Sequence, residues 1–411
     1  RVLFKVGEIR AKTNNCTRLR TYLCFMRVVV GLSGGVDSSV AAHLLQKQGH
    51  DVIGLFMRNW NDQSVTINNE CPWIDDANDA MLVADHLGIP FQVMDLSAEY
   101  KVRIVDYMFS EYEAGRTPNP DILCNREVKF DLFLEAALKL GAEAVATGHY
   151  CRRLTDTNGI HHLLTGLDDN KDQSYFLCQL NQYQLGQALF PVGEMNKKKV
   201  REIAHSLNLP TANKKDSQGL CFIGKVRLPE FLQQKLAVKR GDIVEVDEGH
   251  EVFKRVKSDL SSRAQPYPLQ PDMGAVVGQH DGAHFFTVGQ RKGLHVGGKP
   301  EPLFVLGTCI QTNTVFVGQG DRHPGLYRTA LKLEHPHWVN PMANFGRSEE
   351  ELGLRIRYRQ PLQTGRLVCG KENQWYMDFD KPQRGIAAGQ FAAWYGGTKG
   401  DEVLGSAVIA E

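Results

Sequence analysis

Two stretches of this 411-residue chain concentrate side chains able to do chemistry. The first is Ser33-Gly34-Gly35-Val36-Asp37-Ser38, which follows the apolar run Arg27 to Leu32 and leads into Ser39-Val40-Ala41-Ala42. Two glycines let a backbone come close to an anion, and the hydroxyls of Ser33 and Ser38 can donate to it. A helix starting here adds unpaired N–H groups and the positive end of its dipole. The run has neither the lysine of a GxxxxGK[ST] loop nor the third glycine of GxGxxG. Asp37 adds a hard oxygen ligand of the kind Mg2+ takes.

The second stretch is Thr117-Pro118-Asn119-Pro120-Asp121-Ile122-Leu123-Cys124-Asn125-Arg126. Asn119 is a good N-cap and Pro120 a good first helical residue, so Asp121 and Cys124 lie one turn apart on one face. A thiol near a helix N-terminus, with Arg126 and Lys129 close by, has its thiolate favoured and becomes a nucleophile. Asp121 opposes that charge but is placed to exchange protons with a reacting base. Taken alone, a cysteine on an amphipathic helix is more often a small core residue. Another thiol, Cys221, sits in Asp216-Ser217-Gln218-Gly219-Leu220-Cys221-Phe222-Ile223-Gly224, a pattern that reads as a loop carrying one sulfur between apolar anchors.

The elements around these residues alternate. Arg27 to Leu32, Asp51 to Met57, Phe91 to Asp95 and Ala144 to Thr147 read as parallel strands, separated by helix patterns near Ser38–Gln48, Asp75–Leu87, Ala98–Tyr112 and Asp121–Leu140. That order predicts a doubly wound α/β domain with ligands at the carboxyl ends of its strands. Further helices are expected in 151–224, among them Lys197 to Leu207. Beyond about residue 240 short strands punctuated by glycine take over. The expected division is 1–25 as a leader or extension, 26–224 as the α/β domain and 225–300 as a small mixed domain with a polar insertion at 247–273. Residues 301–411 complete it as a β-barrel.

Composition narrows the class. Forty-eight basic and 47 acidic residues nearly cancel, so any surface for a polyanion must be a local patch. The apolar runs are strand-sized, far short of the ~20 residues of a membrane span. Nine cysteines without a CxxC pair argue against a disulfide-stapled domain, tetrahedral zinc or a cysteine-bound cluster, and fit a reducing compartment. Residues 1–25 carry six Lys/Arg against one Glu; an upstream extension of a bacterial chain starting at Met26, an organellar presequence and a basic tail all fit.

Read together, the motifs resemble known proteins. Ser33 to Ser38 resembles the SGGxDS pyrophosphate loop of the ATP pyrophosphatase superfamily, which cleaves ATP between its α and β phosphates. Six motifs occur in the order found in the tRNA-uridine 2-sulfurtransferases, the tRNA 2-thiouridylase family: the loop, Thr117 to Asn125, Ala146-Thr147-Gly148-His149-Tyr150, Asn170-Lys171-Asp172-Gln173-Ser174-Tyr175-Phe176-Leu177, Gly219 to Gly224 and Thr287 to Leu294. The likeness runs from Met26 to the C-terminus, and the bacterial form is nearer.

The resemblance implies ATP and Mg2+ held at Gly31, Leu32, Ser33, Gly34, Gly35, Val36, Asp37, Ser38, Met57 and Gly148, and adenylation of the 2-oxygen of a tRNA wobble uridine. It implies a persulfide on Cys221, supplied by a sulfur carrier or cysteine desulfurase. Cys124 would be the nucleophile that closes a transient disulfide with Cys221, and Asp121 the acid or base. Asn119, Pro120 and Asp121 would surround the flipped-out base. His149, Lys171, Asp172, Gln173, Arg357, Tyr358 and Gln390 would contact tRNA. A monomer in the cytoplasm is expected, with a mitochondrial location if residues 1–25 are a presequence.

Plainer readings stand beside these. Leu354 to Arg359 alternates so that three arginines would project from one strand face, which is also how a solvated sheet face looks. Lys197, Lys198, Lys199 and Arg201 read equally as a tRNA patch or a charged outer face. An amide- or lysidine-forming synthetase would share the loop but need no cysteine pair. An idle tRNA-binding scaffold would need neither, and a cluster-dependent thiolase would need CxxC pairs.

Overall fold

Two β-branched runs and one Ala-Val-Ala run become the centre of a parallel sheet. The computed structural model describes residues 25–60, 72–216, 231–233, 235–254, 258–343 and 350–410. Strand β1 (Arg27–Gly31) turns into helix α1 (Val36–Lys47), followed by β2 (Asp51–Arg58), helix α2 (Pro72–Leu87) and β3 (Phe91–Asp95). Helical turns over 97–113 lead to the short helix α3 (Pro120–Cys124), whose chain runs on through 125–139 to β4 (Ala144–Ala146).

After β4 the expected run of helices is interrupted. A hairpin, β5 (Cys151–Thr155) and β6 (His161–Thr165), precedes the short strand β7 (Ala188–Leu189) and helix α4 (Lys197–Ser206). The sheet order β3-β2-β1-β4-β7 puts the reversal between β1 and β4. Val28, Val29 and Val30 are fully buried there, as strands covered on both faces must be. A ligand crevice is expected at the carboxyl end of that reversal, where Ser33 to Ser38 and Gly148 lie.

Strands β8 (Gly241–Glu245), β9 (Ala275–His280), β10 (Leu303–Cys309) and β11 (Thr314–Gln319) form one sheet in the order β10-β11-β8-β9. The division expected at residue 300 passes between β9 and β10 of this sheet. Among its described residues the polar 247–273 stretch holds two short α-helices, Glu251–Lys254 and Leu260–Ala264. The second is fastened to the barrel by Arg263, whose two terminal nitrogens each lie 2.7 Å from the Asp378 carboxylate.

The barrel is built from β12 (Tyr327–Trp338), β13 (Leu352–Arg355), β14 (Gln363–Cys369), β15 (Trp375–Arg384), β16 (Phe391–Gly396) and β17 (Glu402–Ile409). Pairing of β12 with both β15 and β17 closes it around Leu331, Leu354, Met377 and Trp394. The hairpin from the first domain joins this barrel edgewise, β6 pairing with β17 through Leu163↔Val403 and Leu164↔Glu402. Sequence periodicity cannot show such a pairing, because strand partners more than 200 residues apart leave no local signal. Among the described residues no helix is long and apolar enough to cross a membrane.

Candidate active site

Gly34 has φ +67, a conformation that side chains bearing a Cβ rarely adopt, and a Cβ there would lie 2.2 Å from the Asp76 carbonyl oxygen of α2. Gly35 then caps α1 in extended conformation. Ser38 Oγ accepts from the Ser33 N–H at 3.2 Å and donates to the Gly35 carbonyl at 3.2 Å, so the loop closes on itself into a cradle. Gly148, just past β4, is pressed against the same turn: a Cβ on it would meet the Asp37 carbonyl carbon and the Ser38 nitrogen, each at 2.7 Å. Leu32 and Met57 are buried beneath.

The Asp37 carboxylate is tightly held. Tyr150 Oη donates to Oδ1 at 2.7 Å, and Lys197 Nζ lies 2.8 Å from both oxygens. Lys197 also reaches Asp216 at 2.8 Å, and Asp216 further pairs with Lys171 at 2.7 Å and Arg201 at 2.9 Å. Burial works against the Asp216 charge, but the hydrogen bonds of Lys171 and Lys197 outweigh it and hold its carboxyl well below the usual range. Three cations and two carboxylates thus sit beside the cradle. Among the described residues no three His, Cys, Asp or Glu side chains are grouped to hold a metal ion. Asp37 is the carboxylate of the loop, and one such hard oxygen suits Mg2+ carried mainly by phosphates.

Helix α3 begins as its sequence predicts. Asn119 caps it, its Oδ1 accepting from the Ile122 N–H at 3.3 Å, and Pro120 opens the first turn. Cys124 is fully buried among the core residues that also include Val29, Met57 and Phe133. Arg126, the guanidinium expected to favour its thiolate, bonds Glu127 and Gln179, each at 2.7 Å. Cys221 lies outside the described residues.

Residues 26–225 match the family model described as tRNA methyl transferase HUP domain, 263–319 the tRNA methyl transferase PRC-barrel domain and 328–409 the Aminomethyltransferase beta-barrel domain. The tRNA-specific 2-thiouridylase MnmA of Flavobacterium johnsoniae is 57% identical over 93% of this chain and 100% of its own length. That of Christiangramia forsetii is 59% identical over the same shares. The chain belongs to the tRNA-specific 2-thiouridylase family. A solved 4-thiouridine synthetase–RNA complex with bound ATP also overlaps it, at TM-score 0.32 and 17% identity over 51% of this chain and 50% of that one, too slight a likeness to bear on the site.

In this 2-thiouridylase family member the residues expected to touch tRNA differ in exposure: His149 and Asp172 are buried, Lys171, Gln173, Tyr358 and Gln390 are half-buried, and Arg357 is exposed. Gln173 locks Tyr150 in place, its Oε1 accepting from the Tyr150 N–H at 3.0 Å, and Lys171 pairs with Asp216. Asp172 is 5% exposed and accepts from Arg355 at 3.0 Å and from the Ser174 N–H at 3.0 Å. His149 is buried beside Thr147, its Nδ1 2.7 Å from the hydroxyl; burial first, and Lys129 second, keep its pKa well below the usual value.

The strand expected over Leu354–Arg359 ends at Arg355, where the chain turns and the Ile356 N–H donates to Gln360 Oε1. Its three arginines therefore do not share a face. Arg355 points to Asp172, Arg357 donates to the Arg384 and Gly385 carbonyls, and Arg359 is exposed. Tyr358 packs on Phe176, ring centroids 4.3 Å apart.

Sequence reading missed Tyr150 and Asp216 as loop partners, and it set Lys197 and Arg201 on an outer or tRNA-facing patch. Only α4's packing against α1 turns its first lysine toward Asp37. The Asn196 N-cap, which fixes where that helix begins, was the one local clue.

Proposed function

We propose that this chain is an ATP-dependent tRNA-uridine 2-sulfurtransferase that converts the wobble uridine of tRNA to 2-thiouridine. The observation that carries the reading is the Ser33–Ser38 cradle, shaped by Gly34 and Gly148, in a chain that aligns with tRNA-specific 2-thiouridylases along their whole length. The family-model descriptions speak of methyl transfer; a phosphate cradle beside a cationic cluster favours adenylation instead.

The uracil 2-oxygen attacks the α phosphate of ATP, the α–β anhydride breaks and pyrophosphate leaves. The loop N–H groups and Lys197 would stabilise the charge developing on that leaving group. Mg2+, with Asp37 as its protein ligand, would neutralise part of the phosphate charge. Asp121 takes the N3 proton as the base becomes an imidate.

Cys221, charged as a persulfide by a sulfur carrier or cysteine desulfurase, presents its terminal sulfur to C2, and AMP leaves. Cys124 thiolate attacks Cys221 Sγ, the sulfur–sulfur bond of the persulfide breaks with its electron pair on the transferred sulfur, and a Cys124–Cys221 disulfide forms. A dithiol reductant resets it. The chemistry suits a monomer in a reducing cytoplasm.

The test is thiolation of a transcript bearing a wobble uridine, with ATP, Mg2+ and a persulfide source, comparing wild type with Cys124→Ala and Cys221→Ala. Formation of 2-thiouridine with AMP release by wild type, lost in both variants, supports the reading. AMP release without sulfur entry, or full activity in both variants, overturns it.

A further inference from the structure

The walls of the Ser33–Ser38 cradle limit how a nucleotide can extend from it. On the β4 flank Gly148 is pressed against the first turn of α1, which leaves no space between that strand end and the loop. On the α2 side the Asp76 carbonyl closes on Gly34. The β2 flank opens instead. β1 turns away after Leu32, whose N–H donates to the Leu55 carbonyl at 3.0 Å, while β2 runs on to Arg58. A ligand with its phosphates on the cradle therefore lays its base toward the end of β2.

That end is firmly held. The Leu96 N–H donates to the Arg58 carbonyl at 2.9 Å, and the Arg58 guanidinium bonds the Asp95 carboxylate and lies 5.1 Å from the centre of the Trp73 ring. The next residue, Asn59, is 1% exposed, yet among the described residues neither its Oδ1 nor its Nδ2 has a hydrogen-bond partner.

A buried carboxamide without a partner costs stability, because it has given up its bonds to water and made none in return. Native structures keep few such groups, and each calls for a ligand, a water or a functional reason. Asn59 offers a donor and an acceptor in one plane. That pair matches the 6-amino group and the neighbouring ring nitrogen of adenine, which asparagine reads through two hydrogen bonds. Shielding from water strengthens both bonds, and side-chain shifts on ligand entry are common at binding sites.

We propose that Asn59 is a specificity-determining residue that reads the 6-amino edge of the adenine of ATP. This rests on the reading of the cradle as an ATP site and adds a contact to the base. The strain of the unpartnered amide in the free protein is relieved when the base arrives.

The test titrates the full chain, as wild type, Asn59→Leu and Asn59→Ala, with ATP and with purine riboside 5′-triphosphate, which lacks only the 6-amino group, in the presence of Mg2+. The tRNA Kd and the Tm of the free protein are measured alongside. Wild type should bind ATP about tenfold or more tightly than the analogue, as expected for one or two hydrogen bonds. Both variants should bind ATP about as weakly as wild type binds the analogue and should no longer tell the two apart, with the tRNA Kd within about twofold of wild type. Asn59→Leu, similar in shape but without polar atoms, should melt no lower than wild type, because it removes no bond made on folding.

Asn59→Ala decides the matter if Asn59→Leu fails to fold. Equal affinity of wild type for the two triphosphates overturns the inference, as does discrimination kept in both variants. A weaker tRNA Kd with unchanged ATP binding also overturns it and assigns the amide to the tRNA base. A lower Tm with unchanged ATP binding overturns it in favour of a structural role. Failure of wild type to bind ATP at all would sink the reading of the cradle itself, whereas ATP binding that ignores the 6-amino group sinks this inference alone.

Discussion

Gly148→Ala isolates the geometry of the proposed phosphate cradle from its chemistry. The substitution removes no polar group. It inserts one carbon 2.7 Å from the Asp37 carbonyl carbon and the Ser38 nitrogen, and 2.9 Å from Asp37 Cβ. Ordinary contact for such atoms begins at about 3.5 Å, so the strand end and the first turn of α1 must part by somewhat under 1 Å. Both are backbone, α1 is pinned by Val40 and Ala41 in the core, and neither side yields cheaply. Overpacking of this kind costs about 1–3 kcal/mol, and a catalytic group misplaced by ~1 Å costs about 10²-fold in rate.

The expected outcome for Gly148→Ala is therefore a fall of about 10²-fold in kcat/KM for ATP-dependent AMP formation, with a folded protein and a modestly lower Tm. Gly297→Ala, where a Cβ meets nothing within 4 Å, is the matched control and should change neither quantity. AMP formation at wild-type rate by Gly148→Ala would refute the close approach of residue 148 to the cradle as the feature that shapes it.

Lys197→Met should raise the KM for ATP about 10-fold or more while leaving the tRNA KM unchanged, and Lys197→Arg should restore part of it; equal ATP KM values would remove Lys197 from the site. Arg355→Met strands the buried Asp172 with only backbone donors and should destabilise by about 3 kcal/mol, read as a lower urea midpoint for the barrel; an unmoved midpoint would contradict the burial argument. His162, on β6, faces Glu402 and Asp156; burial opposes its charge, but these carboxylates outweigh it and raise its pKa above the usual 6.5.

The folded hairpin thus holds that proton more tightly than the unfolded chain. Its stabilisation is full below about pH 6.5 and is lost as pH rises through the raised folded value. Exchange over 151–165, corrected for intrinsic rate, should be faster at pH 8 than at pH 6 in wild type. Glu402→Gln should lose most of that pH dependence, and an equally steep profile in it would assign the effect elsewhere.

Local rules carried the sequence a long way. Parallel strands fully covered on both faces must be apolar throughout, so β1 and β2 were legible as continuous hydrophobic runs, and the turn between β1 and α1 was legible because a phosphate cradle needs glycine there. Asn119 and Pro120 marked the start of α3 because an N-cap and a proline at the first helical position satisfy a purely local need. The same reasoning put Asp121 and Cys124 one turn apart.

What tertiary structure alone decided is which distant groups share a space. Charge and alternation give a residue's type and face, but a lysine or arginine on a face can meet solvent, RNA or a carboxylate with equal local logic. The packing of α4 on α1 turned Lys197 toward Asp37, and the end of β13 sent Arg355 to Asp172 rather than outward. Edgewise pairing of a first-domain hairpin with β17, and the hydrogen bonds of Gln390 Nε2 to the Thr117 and Pro118 carbonyls, join segments more than 200 residues apart. Such contacts arise from the summed burial and hydrogen bonding of the whole chain, so no window of sequence contains them.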